Sequence, residues 1–505
     1  MRIYREIKRL LQYGLKKSLF TKDDEIFVRN SLLDILNLDE YHDVEIEDEE
    51  LDTPTVILDN ILNYCFENGI LESNSPIYRD LLDTKIMAIL MPRPSEVIRE
   101  FNNRYEKSKE SATSYFYNIS TACDYVRTDR IAQNIVWKNK TEYGDLDITI
   151  NLSKPEKDPK AIAAAKNLPP AVYPKCLLCK ENQGYRGRIN HPARQNLRIL
   201  PIKLNNEDWF MQYSPYAYYN EHCIVFLGEH LPMKITNSTF TRILEFVDRF
   251  PHYFIGSNAD LPIVGGSILT HDHYQGGNYT FAMDKAKDFI EFTLDSYNDV
   301  KLSIIKWPLS VVRLKGNKLS ELSELAFKIL NHWKNYSDVE VEILAYTDEV
   351  PHNTITPIAR KENGEFVLDL VLRNNRTSEE HPDGIYHPHK ELHNIKKENI
   401  GLIEVLGLAV LPARLKDELE IIKLSLVNGN DDIYNDENMK IHYDWYKKIK
   451  DNNINITADN VDEIIRNEVG KVFTKVLEDC GVFKWTEKGK EAIKRYINSL
   501  KSYIN

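Results

Sequence analysis

Residues 257–277 read SNADLPIVGGSILTHDHYQGG, and this stretch decides both the fold and the chemistry expected of the chain. The apolar run IVGGSILT leads into HDHYQ. In an extended strand alternate side chains share a face, so His271, His273 and Gln275 project together while Asp272 and Tyr274 point away. An HxH pair by itself is more often a hydrogen-bonded pair inside a sheet. Two features favour chemistry. Gly265, Gly266, Gly276 and Gly277 weaken a strand and belong where the backbone turns tightly or lets a ligand approach, although bulges or turns explain either pair alone. A neutral imidazole is also nucleophilic at pH 7 and attacks phosphorus when an acceptor holds its other nitrogen. Gln275 could then donate to the phosphate oxygens that gain charge. This is a kit for phosphoryl or nucleotidyl transfer, where positioning and electrostatics dominate.

Upstream, KCLLCKE places Cys176 and Cys179 at the spacing that lets two thiolates reach one tetrahedral metal. A lone CxxC is a weak signal, and a redox pair or two buried thiols are the plain alternatives. The further ligands it would need are among His191, His222, His230 and His271. The other four cysteines, Cys65, Cys123, Cys223 and Cys480, stand apart and read as core residues; six in so long a chain make no disulfide framework. NHPARQNLRILP and INLSKPEKDPK set Arg194, Arg198, Lys154 and Lys157 beside proline-fixed loops. Most such cations are solvated surface, but an anionic substrate needs some of them. Asn258 forms a turn or hydrogen-bonds a phosphate or sugar. HPDGIYHPHKELH, with His381, His387, His389 and His393, reads as a surface loop, with metal ligation as the lesser reading.

Beyond these motifs the chain alternates between two patterns. Up to residue 118 apolar residues recur at threes and fours, as in IFVRNSLLDILNL and RDLLDTKIMAILM, which predicts a helical layer. DLDITINLS, LRILPIKL, WFMQYSPYAYY and HCIVFLGE then read as strands, and STFTRILEFVDRF as a helix. From 300 to 415 the mixture repeats, with LSIIKWPLSVVRLKG, VEVEILAYT and FVLDLVLRNN as strands around the helix LSELAFKILNHW. Helices return after 416. The expectation is an α+β fold with mixed and antiparallel sheets: a helical region 1–118, a catalytic unit 119–299, a second α+β unit 300–415 and a helical region 416–505.

A chain of 505 residues exceeds one ordinary core. Its formal charge of −12 argues against nucleic acid as a partner, because such binders concentrate Lys and Arg on one face. No segment reaches the roughly 20 apolar residues that cross a bilayer, and MRIYREIKRLLQYGLKK alternates charged and apolar residues unlike a signal peptide. No membrane partner is expected, and cytoplasm is the expected compartment.

The strings DRIAQNIVW, ITINLSKPEKDPKAIAAA, PKCLLCKENQGYRGRINHPARQN, QYSPYAYYNEHCIVF, GSNADLPIVGGSILTHDHYQGG, PHNTITPIAR, LDLVLRNNRTSEEHP and KKENIGLIEVLGLAVLP complete the picture. Spread over about 120 to 415, they strongly resemble galactose-1-phosphate uridylyltransferases of the second class, typical of low-GC Gram-positive bacteria. The resemblance implies two histidine-triad-like α+β units and ping-pong transfer. UDP-glucose gives its uridylyl group to the enzyme, glucose 1-phosphate leaves, and galactose 1-phosphate departs as UDP-galactose. It assigns the covalent nucleophile to His273 and a phosphate contact to Gln275.

In the first class of these enzymes a zinc is held by a CxxC pair, a histidine after a strand and the first histidine of HxHxQ. That pattern falls on Cys176, Cys179, His271 and, through FLGEH, on His230 in preference to His222, and implies a structural zinc. The first class's iron site uses an HxH, but the corresponding strand here, VLDLVLRNN, has none, so no iron site is carried over. HDHYQ also differs from the first-class HPHGQ in its middle residues. By the same resemblance Asn258, Ser267 and Lys154 contact phosphates, Tyr216 lies near uracil or ribose, and Arg373 and Arg414 receive the sugar phosphate, with Arg194 as a further anion contact. The assembly considered is a homodimer. Two other outcomes stay open: another nucleotidyltransferase or nucleotide hydrolase of the histidine-triad superfamily, and a zinc-stapled binding protein without activity.

Overall fold

Helices open the chain because apolar residues fall three and four apart: Arg2–Lys16 buries Ile3, Ile7, Leu10, Leu11 and Gly14 along one stripe. The computed structural model describes residues 2–153, 172–266, 268–430 and 432–505. Five more helices follow, Glu25–Ile35, Thr55–Glu67, Pro76–Leu90, Pro94–Tyr105 and Lys109–Ala122. Two start with proline, whose missing N–H costs nothing in a first turn. Ser108 caps the last by accepting from the Ser111 amide at 3.1 Å.

The chain divides into two compact units that interleave in sequence. The first comprises Met1–Gln133, Ser153–Leu231 and Thr270–His273; the second comprises Asn134–Leu152, Pro232–Leu269 and Tyr274–Asn505.

In the first unit buried Arg127 forks onto Asp83 at 2.8 and 2.9 Å and reaches Asp124 at 2.5 Å, tying helix Pro76–Leu90 to the end of helix Lys109–Ala122. Its strands Leu200–Leu204, Glu207–Tyr213 and Cys223–Leu227 form an antiparallel meander. The first turn uses Asn205 and Asn206 at φ 51° and 61°, a left-handed pair that matches the twist of the flanking strands.

In the second unit, which holds all but the first residue of strand His273–Gly277, the strand order is His273–Gly277, Phe254–Gly256, Asn353–Glu362, Glu365–Asn374, Val311–Gly316, Lys301–Ile305 and Asp288–Phe292, every pair antiparallel. The long central hairpin turns at Asn363 and Gly364, φ 49° and 88°. Its strands are buried along almost their whole length, with helices Asn237–Arg249 and Leu319–Lys334 packed on them. A separate sheet pairs Ile135–Thr141 with Gly144–Ile150, and that strand in parallel with Leu408–Leu411. The expected α+β class, with mixed and antiparallel sheets, holds. Among the described residues no helix is long and apolar enough to cross a membrane.

Two strand readings are corrected. VEVEILAYT is a 3-10 turn, Val339–Val341, and then a two-residue strand, Tyr346–Thr347. Asp338 accepts from the Glu340 amide and bonds Ile343 in both directions, closing the chain on itself. HDHYQ is not extended throughout either: the strand begins at His273, so His271 and Asp272 precede it. Gly265 bridges Ala259, and a Cβ at Gly266 would lie 2.6 Å from the Asn258 amide nitrogen, so these glycines serve a folded-back turn.

The central hairpin also buries an ion network. Fully buried Asp369 accepts from Arg313 Nε and Nη2 at 2.7 and 2.9 Å and from Arg360 Nη1 at 2.7 Å. Burial pushes its carboxyl up, but the two guanidiniums outweigh that and hold it at about 2. Asp369→Ala strands two buried cations and is expected to cost about 3–5 kcal/mol in urea unfolding. A cost below about 1 kcal/mol would contradict this account of the hairpin.

Candidate active site

Within the first unit the short turn after strand Cys223–Leu227 lies against the HDH segment. Leu227 N donates to the Asp272 carbonyl at 3.0 Å, and Asp272 N donates to Leu231 O at 2.7 Å. These bonds fix His271 and His273 relative to His230. His271 Nε2 donates to the Leu227 carbonyl at 2.8 Å, so its lone pair sits on Nδ1. That atom lies 3.2 Å from Cys176 Sγ and 3.8 Å from Cys179 Sγ. Cys179 Sγ is 3.2 Å from His230 Nδ1 and 3.5 Å from Cys176 Sγ.

All four ligand atoms lie within 4.8 Å of one another. A tetrahedral zinc with ordinary bond lengths separates sulfur from sulfur by about 3.8 Å and sulfur from nitrogen by about 3.5 Å. The observed spacings are close to that, slightly drawn in. The donor set, two thiols and two imidazole nitrogens, fits a structural zinc. Without a cation, burial and then the neighbouring Cys176 thiol push the Cys179 thiol up to about 11.

One supporting residue was not singled out from the sequence. Asn182 donates its amide to the carbonyls of both Cys176 and Cys179, each at 2.8 Å, and accepts from His191 Nε2 at 2.7 Å. His191 therefore holds the cysteine loop from outside the ligand set. The signal available was an asparagine three residues after CxxC, in CLLCKEN.

His273 is 4 % exposed. Its Nδ1 donates to the His271 carbonyl at 2.8 Å, which leaves the lone pair on Nε2. Burial, against that hydrogen bond, pushes its pKa down to about 4, so the ring is neutral at pH 7. A buried, neutral, tautomer-fixed imidazole with its lone pair on Nε2 has the chemistry that nucleophilic attack on phosphorus requires.

Comparison with known proteins gives this geometry its context. The family model described as galactose-1-phosphate uridyl transferase, N-terminal domain, matches residues 18–232, and the C-terminal domain model matches 245–447. A galactose-1-phosphate uridylyltransferase of Clostridium acetobutylicum is 56 % identical over 498 residues, covering 99 % of this chain and 100 % of that protein. One from Halalkalibacterium halodurans is 56 % identical over 498 residues, 98 % of each chain. The Bacillus subtilis protein of that name is 48 % identical over 504 residues, 99 % of this chain and 98 % of its own. The chain belongs to the galactose-1-phosphate uridylyltransferase family.

The family resemblance also named substrate contacts. Gln275 follows His273 at the spacing that shares a strand face, and its Oε1 is buried without a partner among the described residues. Asn258 Oδ1 accepts from the Leu402 amide at 2.9 Å. Arg373, 1 % exposed, donates from Nη2 to the Ile400 carbonyl at 2.9 Å, while its Nε and Nη1 have no partner among the described residues. Arg194 lies 5.5 Å over the Tyr125 ring, and the Tyr216 carbonyl accepts from Ser214 at 3.2 Å. Arg414 pairs with Glu418 and donates to Asn394 O at 3.1 Å. Lys154 and Ser267 lie outside the described residues.

The histidine-rich segment 381–393 is not simply a surface loop. His387 is 5 % exposed and bonds Asn399 at 3.2 Å, while His393 donates to Pro388 O at 2.9 Å.

His222 stands apart from the thiols. It is 4 % exposed, its ring centroid is 4.5 Å from Tyr219, and neither nitrogen has a partner among the described residues. Burial pushes its pKa down to about 3. The unfolded chain therefore takes up a proton near pH 6.5 that the folded chain refuses. Stability is complete above that pH and falls as the solution is acidified toward pH 3, by about 3 kcal/mol at pH 4 from this residue alone. His222→Phe is expected to flatten the acid limb of urea-unfolding free energies between pH 7 and 4. An unchanged limb would contradict the assignment.

Proposed function

We propose that this protein transfers a uridylyl group from UDP-glucose to galactose 1-phosphate through a covalent uridylyl-His273. The single observation that carries the reading is the hydrogen bond from His273 Nδ1 to the His271 carbonyl, at 2.8 Å, which leaves Nε2 as the free base of a buried ring. The relatives named for this activity, matched over their whole length, support the choice of substrates.

In the first half-reaction His273 Nε2 attacks the uridylyl phosphorus of UDP-glucose. An N–P bond forms, the P–O bond to glucose 1-phosphate breaks, and glucose 1-phosphate leaves with that electron pair. No proton has to move, because Nδ1 keeps its hydrogen; the imidazolium that results is stabilised by the His271 carbonyl. In the second, a phosphate oxygen of galactose 1-phosphate attacks the same phosphorus, the N–P bond breaks and neutral His273 is restored.

Gln275 donates its amide to the phosphoryl oxygens as charge builds on them. Arg373, with two guanidinium nitrogens that have no partner among the described residues, is prepared to take a phosphate. Cys176, Cys179, His230 and His271 would hold a zinc ion. It supplies a cross-link that stiffens the segment carrying His273 and makes or breaks no substrate bond.

Initial rates of UDP-galactose formation test the reading. Varying both substrates should give parallel double-reciprocal lines, as a covalent intermediate requires. Intersecting lines, or release of UMP without acceptor at the rate of transfer, would overturn it in favour of direct transfer or hydrolysis.

A further inference from the structure

We infer that His389, Glu391 and Asp479 form a second metal site, for a divalent transition cation such as zinc or cobalt, that joins the histidine-rich loop to the helix Val461–Cys480. Their ligand atoms lie within 4.8 Å of one another, and all three residues belong to the second unit. The tautomer of His389 carries the argument. Its Nε2 donates to the Ile385 carbonyl at 3.0 Å, so a neutral ring has its lone pair on Nδ1. That nitrogen lies 3.4 Å from Asp479 Oδ2.

Two acceptors facing each other repel unless a proton or a metal cation lies between them, and Glu391 brings a further carboxylate to the same point, which favours the metal. One imidazole and two carboxylates neutralise a dication and suit borderline and harder metals. The other Asp479 oxygen, Oδ1, already faces Lys475 Nζ at 3.3 Å, and the His389 amide approaches Oδ2 at 3.4 Å, so the carboxylate is held in place. The His381 ring stacks on His389 at 4.1 Å and 18°, fixing the plane of the imidazole. Asp479 is almost wholly buried and Glu391 is exposed, so the site opens to solvent on one side and exchanges its metal. The chemistry differs from that of the Cys176 cluster, which offers sulfur.

The difference gives the test. The full chain, stripped of metal by chelator and dialysed against cobalt(II) alone, should bind two equivalents. Only one should give the thiolate-to-cobalt charge-transfer band. Glu391→Gln, an exposed change that spares the fold, should weaken the second equivalent at least about tenfold and leave that band intact. His389→Ala should abolish the second equivalent. Cys176→Ser should remove the band and keep the second equivalent. Binding of a single equivalent by the wild-type chain, all of it in the thiolate band, would overturn the inference and leave His389 and Asp479 as an ion pair. Two equivalents retained by His389→Ala would overturn it equally.

Discussion

His273→Asn should lower kcat for uridylyl transfer by roughly 10⁴-fold or more, with little change in unfolding midpoint or metal content. The choice of asparagine separates chemistry from structure. Its side-chain amide can still donate to the His271 carbonyl, as His273 Nδ1 does at 2.8 Å, so the local hydrogen bond survives while the nucleophilic nitrogen is removed. The ring is buried and contributes packing, and some stability is therefore lost, but a smaller side chain in a single position does not explain four orders of magnitude in rate. Retention of more than about a tenth of the wild-type kcat would show that phosphorus is attacked by some other group, and the covalent route would fall with it.

Cys179→Ser should act on the fold first and on the rate second. Cys179 is 4 % exposed and faces both Cys176 and His230. Serine is a poor ligand at neutral pH, and loss of one thiolate from a structural zinc costs on the order of 5 kcal/mol. A loss of that size lowers the unfolding midpoint of a 505-residue chain by about 5 °C. The rate should also fall, by about 10- to 100-fold, because His271 both binds in the cluster and offers the carbonyl that orients His273. Calorimetry together with metal analysis checks this. A variant that loses metal but keeps its midpoint and its kcat would contradict the bracing role.

Much of this site was legible in the sequence because it is local. HDHYQ carries the proposed nucleophile, a candidate metal ligand and the proposed amide donor within five residues, and CLLC carries two thiols within four. Partners brought in from elsewhere were less so: four histidines were candidates by residue type, only the FLGEH resemblance favoured His230 over His222, and the structure places His230 3.2 Å from Cys179 while His191 bonds Asn182 and His222 is buried beside Tyr219. The placement of His271 on the strand face of HDHYQ failed for a physical reason. The strand starts only at His273, because Leu227 and Leu231 hold the backbone of Asp272 ahead of it. VEVEILAYT failed likewise, since its alternation is overridden by the Asp338 turn. The helices before residue 122 and the strand Glu365–Asn374 were plain, whereas its hairpin partner Asn353–Glu362 was not read as a strand.

The central claim is that one imidazole nitrogen bonds transiently to phosphorus, and intact mass tests it most directly. The protein is mixed with UDP-glucose alone, quenched in base and weighed. The account predicts an added mass of one uridylyl group, labile to acid, absent from His273→Asn and discharged by galactose 1-phosphate. A protein that makes UDP-galactose at full rate yet never carries that mass, and needs both substrates together before glucose 1-phosphate appears, would contradict it.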